Sequence, residues 1–173
     1  MSSKTLEEYV RSAGLSYKNL RRIYEEIVSG RLKLVDPNPP KVFAEYLVRA
    51  DYSAWFWTIV TLTLLSVVSV YASDLIPQLL YLRYVVGSVL VLFIVGYVTI
   101  ELLYPEEKSL TDLERLALSI GLSLAVVPLL GLALNYTPWG IRLEPVLTTI
   151  SSYSIAGALG AAYRKYKIVR RES

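Results

Sequence analysis

YVVGSVLVLFIVGYVTIELL, residues 84–103, carries a single charged side chain, Glu101. As a helix rising 1.5 Å per residue, such a run covers about 30 Å, the thickness of a bilayer's hydrocarbon core. Three further runs of similar length and character lie at residues 54–73, 116–135 and 143–163. The expected fold is therefore all-α: an integral membrane four-helix transmembrane bundle, carrying a small cytosolic helical module at its N-terminus.

Outward from residues 84–103, the charges are lopsided. YPEEKSLTDLER, residues 104–115, is a short charged loop, and within it Thr111 and Glu114 have the spacing of a capping box. On the other side, residues 74–83 form a loop containing Pro77. Only Arg83 and Arg142 of the 18 Lys and Arg fall in the two loops of that side. Short loops rich in Lys and Arg stay in the cytoplasm. The expected location is thus the cell membrane, multi-pass, with both termini cytoplasmic. The first 50 residues lack the early apolar stretch of a signal peptide, so the first span should act as its own insertion signal.

Composition excludes several chemistries. The chain has no Cys and no His, which rules out disulfides, Ser-His-Asp and Cys-His catalysis, and removes the usual zinc ligands. No glycine-rich phosphate loop is present. No catalytic constellation, cofactor or metal site is expected. The first 51 residues hold nine basic and seven acidic side chains, a near-balance that argues against a nucleic-acid partner.

Residues 1–40 read as the cytosolic module and its linker. Ser2 or Ser3 can cap a helix bearing Leu6, Tyr9 and Val10, with Gly14 as its stop. Ser16 caps a second helix with Leu20, Ile23, Tyr24 and Ile27 on one face, and Gly30 ends it. RLKLV, residues 31–35, alternates like a short strand, and DPNPP, residues 36–40, is a rigid turn. Helix, Gly, helix, Gly, strand is the pattern of half a winged helix. A two-helix cap is the better account, because Lys18, Arg21 and Arg22 are the only basic residues on the second helix. Residues 41–53 read as an interfacial helix with Val42, Phe43, Tyr46 and Leu47 toward lipid. Tyr52, Trp55 and Trp57 mark the inner end of the first span. Residues 164–173 form a basic cytosolic tail with five Lys and Arg and one acid, Glu172.

Several residues stand out as structural or interaction sites. Glu101 is the one carboxylate well inside a run, and Arg115 opens the next run at similar depth, so an interfacial pair is expected. Pro128 falls mid-span and should bend its helix, which shapes a bundle or one wall of a cavity. Asn135 to Gly140 form a tight outer turn anchored by Trp139. Asp74, Arg83, Arg142 and Glu144 are too few to specify an active site and can pair or meet a partner. Ser152, Ala156 and Gly160 recur every four residues in the fourth run, with Gly157 and Ala161 beside them. The third run has Gly121 with Ala125, and Ser119 with Ser123. Small residues let helices approach closely in lipid. They serve either packing within the bundle or docking of another membrane protein on spans three and four.

LERLALSIGLS (113–123), VPLLG (127–131) and NYTPWGIR (135–142) together resemble an uncharacterised prokaryotic membrane-protein family, domain of unknown function 1616, well represented in archaea. VLFIVGY (91–97) is similar to that family's LFLPGY segment, with Val95 in place of its proline, which implies a straighter second span. The resemblance covers residues 55–163 and implies architecture without an activity; larger members have a fifth span and an extracytoplasmic domain.

The expected role is a structural or partner-binding subunit of a membrane or cell-envelope assembly, in contact with the lipid bilayer. The alternatives are a membrane enzyme or transporter acting on a lipid-linked or small substrate, and a membrane-tethered nucleic-acid-binding protein. An enzyme should place Asp74, Glu101 or Glu144 in a convergent polar pocket.

Overall fold

The computed structural model of the chain describes residues 10, 14, 16–28, 40–106 and 110–172. It divides into two compact units, one of Met1–Pro39 with Glu172–Ser173 and one of Pro40–Arg171.

In the first unit, α1 spans Tyr17–Val28. Gly14 has φ +83°, the left-handed conformation that suits glycine where a chain must turn. Ser16 precedes the helix, and its carbonyl accepts from the N–H groups of Asn19 and Leu20, each at 3.0 Å. Of the face expected to pack, Ile23 is buried while Leu20 and Tyr24 are exposed. The helix around Leu6 and Tyr9, the strand at residues 31–35 and the turn at 36–39 lie outside the described residues.

The second unit runs α2 (Phe43–Val48), α3 (Ala50–Leu75), a 3-10 turn (Pro77–Leu79), α4 (Leu80–Val89), a π-helical turn (Leu90–Ile94), α5 (Val95–Leu103), α6 (Asp112–Asn135) and α7 (Leu143–Glu172). Every regular element among the described residues is helical. Three helical stretches are long and apolar enough to cross a membrane: Ala50–Ser73, Pro77–Leu103 and Asp112–Asn135. The fourth run lies within α7, a continuous helix of 30 residues. It falls outside that set because Thr148, Thr149, Ser151, Ser152, Ser154 and a run of Gly and Ala dilute its apolar character.

The expected interfacial helix is instead broken. Arg49 takes an extended conformation (φ −76°, ψ 111°) between α2 and α3. The carbonyl of Leu47, freed by the break, accepts from Ser53 Oγ at 2.7 Å and Trp57 Nε1 at 2.8 Å. Tyr46, expected to face lipid, is 1% exposed. Its ring lies against Phe43, Tyr52 and Tyr166, and its hydroxyl donates to the Tyr52 carbonyl at 3.2 Å. Tyr166 in turn donates to the Lys41 carbonyl at 2.8 Å, which fastens the start of this unit to α7. Val42 alone of the expected lipid-facing group is exposed, since Phe43 and Leu47 pack on the core.

Nor is the stretch Pro77–Leu103 a plain α-helix. Val95 N–H reaches back five residues to the Leu90 carbonyl, which makes the wide turn over Leu90–Ile94. Leu90, Ile94, Val95 and Val98 form the centre of the core with Phe56 and Ile59 of α3 and Ile150, Ala158 and Ala162 of α7. α6 is peripheral by comparison: 11% of its apolar window is buried, against 39% and 44% for the other two spans. Its N-terminus is closed by the expected capping box. Glu114 N–H donates to Thr111 Oγ1 at 3.4 Å, and Thr111 N–H donates to Glu114 Oε2 at 2.9 Å.

Candidate functional site

A series of polar contacts runs from α5 to its neighbours α6 and α7. Gly96 comes first, two residues after the π turn ends at Ile94. A Cβ there would overlap the Ser119 carbonyl oxygen and stand 2.6 Å from the Ser123 nitrogen, so only glycine allows α5 and α6 to approach this closely. The Gly96 N–H donates to Ser123 Oγ at 2.7 Å. One turn on, Thr99 Oγ1 donates to the Val95 carbonyl at 2.7 Å. Its 2.9 Å contact with Tyr153 of α7 is therefore one in which the phenol donates.

Glu101 completes the series. Its side chain is 2% exposed. Oε1 accepts from Arg115 Nη1 of α6 at 2.5 Å, and Oε2 lies 2.7 Å from Lys165 Nζ of α7. The second contact lies off the hydrogen-bonding direction, so it is an ion pair without a directed hydrogen bond. Lys165 Nζ also stands 4.5 Å from the ring centroid of Trp55 in α3. Three helices thus meet at one carboxylate, and α3 joins them through the contact of Trp55 with Lys165. Dehydrating an isolated carboxylate costs several kcal/mol, and two cations on its two oxygens offset that. Neighbouring contacts extend the cluster: Arg115 Nη2 donates to the Glu106 carbonyl at 3.3 Å, and Arg164 Nη1 donates to that of Leu102.

Both Glu101 oxygens face cations, and Glu101 is absent from the lining of the two cavities formed by the end of α5 and by α7. The arrangement is an electrostatic clasp that joins α5 to α6 and α7. These two cavities share Lys167 and Arg171 and so lie at the same end of the unit. One of about 560 Å3 is lined by Leu103, Tyr104, Pro105, Glu106, Arg164, Lys167, Ile168 and Arg171. The other, of about 350 Å3, is lined by Tyr163, Tyr166, Lys167, Arg170 and Arg171. Among the described residues no group of three or more Asp and Glu converges to hold a metal ion.

The expected site residues fall in three groups. Glu101 and Arg115 do pair, enclosed by the protein near the end of α5, and Lys165 is the member that sequence reasoning missed. Pro128 lies on an exposed face of α6 and lines neither cavity. Asn135 is the last residue of α6 and is exposed, as are Trp139, Arg142 and Glu144. The turn between them closes through Thr137 Oγ1 donating to the Leu134 carbonyl at 2.7 Å, with Gly140 at φ +65°. Arg83 Nη1 donates to Ser73 Oγ at 3.2 Å. The side chain of Asp74 lies outside the described residues.

The small-residue seam is offset from the expected one. Ala156 and Ser152 are exposed, whereas Ser151, Ser154, Ala158, Ala161 and Ala162 are buried. Gly157 meets Val98, and Gly160 is also inward, its added Cβ 3.1 Å from Leu102 Cδ1. The reason is helical phase: the 151–154–158–161 face turns to the core, and Ala156 points away from it. On α6 the packed pair is Ser119 and Ser123, while Gly121 and Ala125 are exposed.

The model of the family described as "Domain of unknown function (DUF8471)" matches residues 60–173. This overturns the resemblance to domain of unknown function 1616, and with it the archaeal and membrane associations that resemblance carried. The stretches that suggested it are an amphipathic helix start, a proline within an apolar run and an Asn-Pro-Gly turn. Spans and turns of many membrane proteins draw on the same few residue types. No curated protein and no solved structure matches the chain.

Proposed function

This chain belongs to the DUF8471 family, and we propose that it is a four-span membrane protein with both ends in the cytoplasm, serving as a structural or partner-binding subunit of a membrane assembly. In this reading α7 supplies the fourth span through residues 143–163, and residues 1–40 form a small cytosolic helical module. The charge bias around the spans supports the orientation. A span with Ser, Thr, Gly and Ala toward its neighbours suits helix packing in lipid, where small and polar contacts replace the hydrophobic drive.

The observation that carries the partner-binding role is the uncovered face of α6. Ala117, Gly121, Leu124 and Pro128 recur at helical spacing on the side opposite Ser119 and Ser123, and all four are exposed. Ala117 and Gly121, four residues apart, are small and favour close approach by another membrane helix, with Leu124 and Pro128 on the same face beside them. The enzyme or transporter alternative is disfavoured because Glu101 is held by its two cations away from either cavity, and Glu144 is exposed. Nucleic-acid binding is disfavoured because Arg21 and Arg22 pair with Glu25 at 3.1 Å and Glu26 at 3.3 Å on their own helix.

A photo-cross-linking side chain placed at Leu124 and activated in native membranes tests the role. A discrete protein adduct is expected, with none from the same group placed at Tyr81. Adducts to lipid alone at Leu124 would remove the partner-binding role.

A further inference from the structure

We propose that the cavity between the end of α5 and the basic face of α7 binds the phosphate of an anionic lipid headgroup. The proposal rests on the membrane reading above. Arg164, Lys167 and Arg171 are spaced at i, i+3 and i+7, so they share one face of α7, and all three line the same cavity of about 560 Å3. That volume exceeds what a lone phosphate needs and suits a glycerophosphate headgroup. Arg164 is already anchored on the Leu102 carbonyl, and Lys167 Nζ stands 4.7 Å from the ring centroid of Tyr163. Among the described residues neither Lys167 nor Arg171 has a carboxylate partner. Glu106 is the one acid in the lining, set against three cations.

The surroundings specify a lipid as the source of the phosphate. Leu103, the last residue of a stretch apolar enough to cross a membrane, and Ile168 give the cavity apolar lining at the end of that stretch. Tyr104 lies in the same lining, and Tyr163 and Tyr166 line the adjoining cavity. Tyrosines collect at headgroup level, with the ring in the apolar layer and the hydroxyl in the polar one. Guanidinium groups match phosphate oxygens in paired geometry, and an ammonium adds a point charge. Basic pockets at the cytoplasmic ends of spans are suited to anionic headgroups for the same reason.

The test uses the full chain in neutral detergent, with phosphatidylglycerol as the probe and phosphatidylcholine as the neutral comparison. Bound lipid is counted by native mass spectrometry and the thermal midpoint is read alongside. Phosphatidylglycerol should stay bound and raise the midpoint. Lys167→Gln combined with Arg171→Gln should weaken its retention by on the order of tenfold, while Arg142→Gln at the other end should not. Equal retention by the double variant and the wild type would overturn the site. Inorganic phosphate raising the midpoint as much as phosphatidylglycerol would overturn the lipid as source in favour of a soluble phosphate. Membrane attachment is checked separately by alkaline washing: release of the chain would sink the membrane reading while the inorganic phosphate measurement still reports on the cation cluster.

Discussion

Lys165 Nζ lies 2.7 Å from Glu101 Oε2, so the last long helix is tied to the second span through a buried charge. Arg115 holds the other oxygen at 2.5 Å, and both cations are nearly as enclosed as the acid. Such a cluster adds little net stability over an apolar replacement of the whole set, yet removing one member strands the others. The carboxylate is the shared member, so it is the one whose loss matters most.

Glu101→Gln leaves two enclosed cations facing a neutral amide and should cost about 3–5 kcal/mol of stability. Lys165→Met should cost less, because Arg115 still neutralises the acid. Denaturation in detergent measures both, and an unchanged midpoint for Glu101→Gln would show that the cluster is hydrated and not a clasp.

Gly96→Ala should lower stability by about 1–3 kcal/mol, the range for overpacking a tight interior. The new methyl meets the backbone of Ser119 and Ser123, which cannot move aside as a flexible side chain would. Gly121→Ala, with nothing within 4 Å, should leave stability unchanged or slightly raised. Equal effects of the two substitutions on the thermal midpoint would contradict the close approach of α5 and α6.

Ser123→Ala removes the acceptor for the Gly96 N–H and should cost about 0.6–2 kcal/mol, the range for hydrogen bonds between membrane helices. Combined with Gly96→Ala it should cost less than the two separate losses together, since both act on one contact. Strict additivity in the double-mutant cycle would separate the hydrogen bond from the packing.

Gly157→Leu should destabilise the protein, because the position faces Val98. Ala156→Leu on the exposed side should not change thermal stability. Were Ala156→Leu the damaging one, the helical phase of α7 described above would be wrong.

Single cysteines at Gln78 and Gly140 should react with an impermeant thiol reagent in intact cells, whereas cysteines at Ser2 and Ser173 should not. Labelling of the termini would reverse or break the proposed orientation.

Features set by neighbours in the chain were legible from sequence. The capping box of Thr111 and Glu114 and the turn from Asn135 to Gly140 are local, and their residue types have few other uses. The Glu101–Arg115 pair was also legible, because a short loop joins the two helices. Lys165 was not, since it stands among five Lys and Arg of the tail and only the packing of α7 against α5 selects it. The small-residue seam was misplaced for a related reason. α7 has Ser, Gly or Ala at so many positions that four-residue spacing occurs on several faces, and spacing alone does not choose between Ala156 and Ser154. Gly96 was overlooked because its meaning depends on Ser119 and Ser123 across the contact. The π turn carries no Pro or Gly of its own and has no sequence signature.

That wide turn holds one residue more than an α-helical path between the same two ends would use. It is slack in the helix. Each residue added to or taken from an α-helix rotates everything beyond it by about 100°. A chain one residue shorter within Leu90–Ile94 could draw the turn tight and still present Glu101 to Arg115 and Lys165. The same deletion between Gly96 and Glu101 has no slack to absorb it and would swing the carboxylate away from both cations. A loss of one residue along this stretch is therefore best absorbed within these five, of which Leu90 and Ile94 stay bound by the core they pack in.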